Sequence, residues 1–578
     1  MTNREDLEKE VTIGFGIIHY LKEKGVKYIF GIPDGHTMEM YDAMRELDGI
    51  DHVLVNDERT AGFAADAYSR VTGTLGVCDA GSAGSMNFPV AAVEAKGSGS
   101  PVLFMSSAIR TYLKGMNVAH DINIIDTFKA ITKWAEIITK PKDAPEILKK
   151  ALSMAMNDGP GPVGLVLPQD VLAENKLHSE KFLNPDILDT GSSKDAIEGD
   201  IDKVVGMILD SKQPVIFTGE GALASGIFAE IESLSKMLKA PVFTTISGKG
   251  IMKSRQYEDN LYFGIVGLFG LRPNHHFINE RADLVIVVGN RLNEGDTAYF
   301  KFPNREQTII HIDNYKENLS RIYKSTNLLG NQKNILSRII KKLKETSPLL
   351  SSEILTLREN NITWLKKKYK FYHKANDKKW MFSQPIKPQR VLKAISEAME
   401  ENDYLVTEAS ASSRWIGTYF PVKSVGRTII TPKGVGPTGF GIGGLIGTHF
   451  GLRTLHGEKK VPNIVLLTGD GALMNGGLSD LETIQKYEID CTIVVLNNSS
   501  LGYVKYGQAF IYANRFYETD RPTTNFADFA VLFGGKGKVI EKLEDLDAAM
   551  KDAIPSKGLK ILDIRVDRAE LLPRNFYL

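Results

Sequence analysis

The chain has 578 residues, length enough for about three or four domains. Its 71 basic and 70 acidic residues leave a net charge of +1, which gives no polyanion-binding surface and argues against a nucleic-acid partner. Two cysteines, Cys78 and Cys491, exclude a disulfide framework and a zinc site; both are expected to be buried, in keeping with a cytoplasmic protein. Met1 to Val11 lacks the apolar core of a signal peptide, and no uninterrupted apolar run approaches the ~20 residues of a membrane span, so no membrane association is expected.

Three stretches alternate strand-like apolar runs with amphipathic helical patterns, the rhythm of parallel α/β domains. In the first, Tyr28 to Gly31 reads as a strand, followed by a Pro33-Asp34-Gly35 turn and a helix from Met38. Val53 to Val55, Pro101 to Met105 and Val163 to Leu167 are further strands, and Asn184 to Lys194 reads as a linker. In the second, Pro214 to Phe217 runs into a Gly219-Glu220-Gly221 turn; Ala240 to Phe243, Asp283 to Gly289 and Ile309 to Asp313 follow, the last taken as the final strand. A basic, helix-prone segment from Lys333 to Lys379 reads as a solvated face and linker. In the third, Tyr404 to Val406, Ile464 to Leu467 and Thr492 to Leu496 are strands. The expected architecture is three doubly wound parallel-sheet domains, at 1–185, 195–345 and 385–578, with a linker at 346–384. The letters alone show no internal repeat.

One constellation carries chemistry. The strand ending at Leu467 leads into Thr468-Gly469-Asp470-Gly471-Ala472, and the strand ending at Leu496 leads into Asn497-Asn498. Strand ends at one edge of a parallel sheet are where such folds bind ligands. Asp470 offers an anionic oxygen and Asn498 a carbonyl oxygen, the hard donors Mg²⁺ takes alongside phosphate oxygens. Gly469 and Gly471 let the backbone approach a diphosphate, and the following helix presents N–H groups to it. Glu58 stands where a strand gives way to a helix; read alone, it is an ordinary helix-dipole carboxylate.

Taken together, these segments resemble the thiamine-diphosphate enzymes of the acetolactate synthase, pyruvate oxidase and 2-oxo acid decarboxylase superfamily, with acetolactate synthase catalytic subunits closest. Gly469 to Asn498 is similar to the family's GDG-to-NN motif, and Glu58 to Arg70 resembles its HExxAxxxAxxYxR segment. The resemblance covers residues ~10 to 570. It implies thiamine diphosphate and Mg²⁺, with Asp470, Asn498 and the Ser500 carbonyl as protein ligands to the metal. Gly469, Gly471, Ala472, Leu501 and Gly502 would border the diphosphate. Gly434 to Gly441 resembles the pyrimidine cradle, where Gly436 would accept from the cofactor's amino group and Thr438 replaces a bulky apolar wedge. Ser412 stands where acetolactate synthases have a histidine and would bond a phosphate oxygen. Glu58 aligns with the glutamate that shares a proton with the pyrimidine ring and so drives formation of the ylide. In the family that glutamate and the diphosphate site come from different subunits, which implies a homodimer or homotetramer with interfacial active sites; a regulatory small subunit is a further partner of such enzymes.

The departures from the family surround the reacting carbon. Gly31 to His36 resembles the GYPGGA loop but carries Asp34 and His36; Val118 to Asp121 aligns with AFQE but carries His120. Imidazoles there could move protons near neutral pH. The pair His275-His276 reads as structural. In the central unit, Glu220 in an otherwise glycine turn, and Asn314-Tyr315 where a second Asp is usual, disfavour FAD. The expected function is an acetolactate-synthase-like carboligase: a pyruvate-like 2-oxo acid is decarboxylated and the enamine adds to a second carbonyl compound. The alternatives are a non-ligating 2-oxo acid decarboxylase and a flavin-linked pyruvate oxidase.

Overall fold

The computed structural model describes residues 9–157, 159–183, 198–255, 259–346, 351–457, 461–570 and 572, apart from the side chains of 370–379. The linker expected at Asn184 to Lys194 lies outside them. Three six-stranded parallel sheets carry the chain. The first unit opens with β1 (Glu10–Thr12) and contains β2 (Tyr28–Gly31), β3 (Asp51–Leu54), β4 (Gly76–Ala80), β5 (Val102–Ala108), β6 (Trp134–Ile137), β7 (Val163–Pro168) and β8 (Lys176–His178). Its sheet order is β3-β2-β4-β5-β7-β6, and β1 and β8 form a separate antiparallel pair. The second unit holds β9 (Pro214–Thr218), β10 (Val242–Thr244), β11 (Tyr262–Ile265), β12 (Leu284–Val288), β13 (Thr308–Asp313) and β14 (Thr326–Leu329), ordered β11-β10-β9-β12-β13-β14. The third holds β15 (Tyr404–Thr407), β16 (Ile429–Ile430), β17 (Ile464–Gly469), β18 (Cys491–Asn497), β19 (Lys536–Ile540) and β20 (Leu559–Arg565), ordered β16-β15-β17-β18-β20-β19.

The first and third sheets therefore share one topology: second, first, third, fourth, sixth and fifth strand. The central sheet has the order of a doubly wound dinucleotide fold. The repeat that the letters do not show is present in strand order. It escapes sequence inspection because apolar strands repeat a pattern rather than particular residues.

Six helices position the sites: α1 (Glu58–Thr72), α2 (Ser352–Trp380), α3 (Ala411–Tyr419), α4 (Phe440–His456), α5 (Asp470–Asn475) and α6 (Gly502–Ile511). Helix α2 runs through the helix-prone segment expected as a linker at 346–384, and one face of it packs on the central unit. Arg358 on it is fully buried and donates to the carbonyls of Leu238 at 2.9 Å and Ser211 at 2.7 Å, while Leu365 enters the aromatic core of the central unit. The charge-rich sequence hides this because its apolar face is narrow. Strand β14 likewise follows the run taken as the last of its unit. Both cysteines are buried. No helix among the described residues is long and apolar enough to cross a membrane.

The duplicated units meet through equivalent helices. Helix α1 follows the second strand of one, α4 the second strand of the other, and they make the most extensive helix pairing among the described residues. A four-residue glycine spacing makes this possible. A side chain at Gly443 would meet Phe63 Cβ at 2.7 Å, one at Gly447 would collide with the Ala64 carbonyl oxygen, and one at Gly451 would meet Val71 Cγ1 at 2.8 Å. The stripe lets the backbones touch. Phe63 packs on Phe440 and Tyr28 on Phe450, so one apolar cluster runs unbroken through both units. Gly447→Ala is expected to lose about 1–3 kcal/mol of stability, because a backbone carbonyl cannot step aside. Gly206→Ala, in an open helical position, is expected to be neutral or slightly stabilising; thermal unfolding of the two variants checks the contrast.

Candidate active site

At the carboxyl edge of the third sheet, β17 pairs with β18 so that Gly469 lies opposite Leu496. The loops leaving the two strands therefore start side by side. Asp470 opens α5 and is buried. Burial pushes its carboxyl up to about 6, against the pull of N–H groups that include that of Ser500 and of the nearby Arg521. The Ser500 N–H also donates to Asn498 Oδ1 at 3.1 Å, so Asp470, Asn498 and Ser500 converge. Asn497 is turned the other way: its amide donates to Asp563 Oδ1 at 2.9 Å and to the Thr524 carbonyl at 3.0 Å. The first asparagine thus holds the strand end, and the second is left to face the loop. Ser499 takes φ 49°, Ser500 Oγ donates to the Thr519 carbonyl, and Leu501 and Gly502 lead into α6. A Cβ at Gly502 would press on the Asn498 amide at 3.0 Å, whereas Gly469 has open space and Gly471 and Ala472 are half-buried beside it. The described residues hold no group of three acidic, histidine or cysteine side chains that could by itself hold a metal ion. One carboxylate, one amide oxygen and one carbonyl are too few to complete a Mg²⁺ shell, but they fit a metal whose remaining positions are taken by phosphate and water.

The loop 434–441 joins this edge to the first unit, and two buried carboxylates hold it. Glu94, from the first unit, accepts from the N–H groups of Gly434 at 2.8 Å, Val435 at 2.8 Å and Gly436 at 3.0 Å. Burial would raise its pKa, but Arg70 at 2.9 Å and these N–H groups outweigh that and hold it low. Arg70 also pairs with Asp66 and donates to the Thr431 carbonyl. Glu408, at the end of β15, accepts from Gly439 at 3.2 Å and Gly441 at 2.7 Å. Between these anchors, Gly436 sits at φ 72° and Thr438 is tied by its carbonyl and hydroxyl to the Asn475 amide at the end of α5. Ser412 is buried in the first turn of α3, after Ser410 at φ 65°.

Glu58 begins α1, behind an Asp57 cap. Asn87 donates to its Oε2 at 2.9 Å, and a side chain at Gly84 would collide with its Oε1. Arg59 reaches the Asn475 carbonyl at 3.3 Å, so the start of α1 and the end of α5 touch. A cavity of about 310 Å³ between them is lined by Thr60, Phe63, Asn87, Thr438 and Gly476. Around the same edge of the first sheet, His36 Nδ1 donates to Asp34 Oδ2 at 3.0 Å, and the His120 ring lies 5.5 Å from that of His36. His120 takes φ 68°. The two histidines are thus neighbours. The metal-type donors stand apart from them, on the third sheet. His275 is buried and accepts from the Gly267 N–H, and His276 stacks on Trp364, both structural roles.

Sequence reasoning missed Glu94, Glu408, Asn87 and Asn475. Each acts on backbone or side chains far along the chain, and no local pattern marks it. Two outcomes test the anchors. Glu94→Gln leaves the buried Arg70 underpaired and is expected to cost about 3 kcal/mol or more in unfolding free energy. The Glu408 carboxyl is raised by burial from its ordinary 4.5 to about 7. Its folded form therefore keeps a proton that the unfolded chain has released, so this group makes stability fall as pH rises through that window. Glu408→Gln is expected to flatten that slope in thermal melts taken between pH 5 and pH 8.

Comparison with known proteins identifies the family. Models of the thiamine pyrophosphate enzyme domains match residues 11–129 (N-terminal TPP binding domain), 201–339 (central domain) and 408–564 (C-terminal TPP binding domain). A probable acetolactate synthase large subunit of Methanocaldococcus jannaschii is 31% identical over 571 residues, covering 96% of this chain and 92% of the relative. The acetolactate synthase large subunit of Haemophilus influenzae is 27% identical, with 96% and 94% covered. The acetolactate synthase isozyme 3 large subunit of Escherichia coli is 26% identical, also with 96% and 94% covered. The chain belongs to the thiamine pyrophosphate enzymes, whose cofactor is thiamine diphosphate.

Proposed function

We propose that the protein is an acetolactate-synthase-like carboligase that decarboxylates a pyruvate-like 2-oxo acid and joins the remaining unit to a second carbonyl compound. The observation that carries this reading is the convergence of Asp470, Asn498 and Ser500 beside a cradle loop anchored from both duplicated units. The names of the relatives supply the reaction class. In this reading Asp470, Asn498 and the Ser500 carbonyl hold Mg²⁺, and Ser412, Gly469, Gly471, Ala472, Leu501 and Gly502 border the diphosphate. Gly436 and Thr438 hold the pyrimidine. When bound, thiamine diphosphate supplies a nucleophilic carbon and an electron sink. Glu58 holds the proton shared with the ring, with Asn87 fixing one of its oxygens. His36 has its Nδ1 proton committed to Asp34, which leaves Nε2 to exchange protons with substrate, and His120 stands beside it.

Flavin has no role in this reading. The turn after β9 places Glu220 at the start of a short helix, paired with Arg427 at 3.3 Å, where a dinucleotide pyrophosphate would have to approach. Assembly into at least a homodimer is supported by exposed apolar side chains just beyond the diphosphate loop: Phe510, Ile511 and Tyr517 are 53%, 68% and 77% exposed. The second reading, a non-ligating decarboxylase, draws on the Asp34-His36-His120 cluster.

Glu58→Gln is expected to lower turnover at least ~100-fold while keeping cofactor affinity, because the proton it holds is used in activation rather than in binding. Asp470→Ala is expected to abolish Mg²⁺-dependent cofactor binding, read by calorimetry. Unchanged turnover in Glu58→Gln would refute the assignment of that carboxyl. His36→Ala is expected to change the ratio of condensed product to released aldehyde, measured by mass spectrometry.

A further inference from the structure

A cavity of about 1480 Å³ runs from the crevice of the central sheet, at Gly221 and Gly289, to the cradle loop at Gly434 to Gly436. Its wall near the loop is built by Phe269 from the central unit and by Tyr503 and Lys433 from the third. The Arg414 guanidinium lies against both rings, 5.2 Å from the centre of Phe269 and 5.0 Å from that of Tyr503. The Lys433 ammonium sits over the same Phe269 ring at 4.3 Å and donates to Ser413 Oγ at 2.6 Å. Both groups therefore pack against one aromatic ring, and burial lowers the pKa of each, that of Lys433 to about 7.

Their partners are what is unusual. Arg414 is 2% exposed, and its Nε and Nη1 have no hydrogen-bond partner among the described residues. Ion pairs of the neighbourhood go elsewhere: Glu220 to Arg427, and Asp520 to Lys505 and Arg568. Glu94 is already committed to Arg70 and three N–H groups. The carboxyl of Asp296 is pushed up to about 7 by burial and by Glu220, so it is a weak counter-ion. Ring stacking offsets only part of the cost of burying a guanidinium with unused donors. An apolar side chain would pack against two aromatic rings at lower cost. The arrangement is that of a site awaiting an anion.

The cofactor's own diphosphate is a poor candidate for that anion. On α3, Ser412 and Arg414 are two positions apart, roughly 200° around the helix, so they face different ways. The ring under Arg414 comes from the central unit, away from α5.

We propose that Lys433, at the cavity wall, and the buried Arg414 beside it, both packed against Phe269, form an anion subsite that selects a carbonyl substrate bearing a second acid group, a carboxylate, sulfonate or phosphonate, over a monoanion such as pyruvate. This rests on the reading of the protein as an enzyme of 2-oxo acids.

The test uses full-length protein with thiamine diphosphate and Mg²⁺, and unreactive probes. Glutarate, 3-sulfopropionate and 3-phosphonopropionate are compared with butyrate by calorimetry, the first three distinguishing the acid type. At least one dianion is expected to bind about tenfold or more tightly than butyrate. Arg414→Met and Lys433→Met are each expected to remove most of that preference, with cofactor affinity held within about twofold. Arg414→Lys, which keeps the charge and is the safer fold, is expected to retain part of it. Equal binding of dianions and butyrate would overturn the proposal. So would variants that leave the preference intact, or a loss of cofactor affinity in step with it, which would assign the cations to the diphosphate. If a dianion binds as expected and no 2-oxo acid is turned over, the enzyme reading fails and the subsite stands. If pyruvate is turned over and the probes are not discriminated, the reverse holds.

Discussion

The close approach of α1 and α4 is the constraint on which the rest of the structure depends. Gly443, Gly447 and Gly451 remove the side chains that would otherwise separate two helices. At contact distance, the start of α1 carries Glu58 and Arg59, and the start of α4 is preceded by the cradle loop. One bulky residue in the glycine stripe would move the start of α1 away from the cradle loop. Because α1 and α4 occupy equivalent places in units of one topology, the pairing is a near-symmetric contact between duplicated domains.

Electrostatics then fixes what packing brings near. Glu94 and Glu408 spend their oxygens on backbone N–H groups rather than on solvent, and they grip the cradle loop from opposite sides. A peptide loop rich in glycine has little intrinsic stiffness; here stiffness comes from two buried carboxylates. The metal-type site shows the opposite economy. With one carboxylate, the Mg²⁺ site proposed at Asp470 would be completed by a diphosphate, so metal and cofactor are expected to bind as a unit. The histidines follow a third logic. Asp34 orients His36 by one ring nitrogen, as second partners orient functional imidazoles generally.

Much of the fold was legible because the strands are short apolar runs ended by turn residues, and the site motif because its elements are local. Gly469 to Gly471 and Asn497-Asn498 each sit at a strand end, so spacing alone brings them together. The resemblance singles out the second asparagine, Asn498; what the sequence does not show is why the first is unavailable, since Asn497 is taken by Asp563, a residue far along the chain. The residues that escaped notice, Glu94, Glu408 and Arg414, share that property. Their meaning lies in a partner on another element or another unit, and a carboxylate in an alanine-rich helix reads the same whether it meets water or three amides. The packed face of helix α2 was not legible for a related reason. Its buried arginine, Arg358, looks in the sequence like any solvated charge. The duplication was hidden because topology repeats where letters do not.

The central claim is that this chain uses thiamine diphosphate to decarboxylate a 2-oxo acid and ligate what remains. It is tested most directly by incubating the purified protein with the cofactor, Mg²⁺ and single or paired 2-oxo acids, and identifying all products by mass. The account expects release of CO₂ together with a condensed hydroxy-oxo acid, both dependent on cofactor and metal. Aldehyde alone would replace the carboligase with a decarboxylase. No CO₂ from any 2-oxo acid, with the cofactor demonstrably bound, would contradict the account.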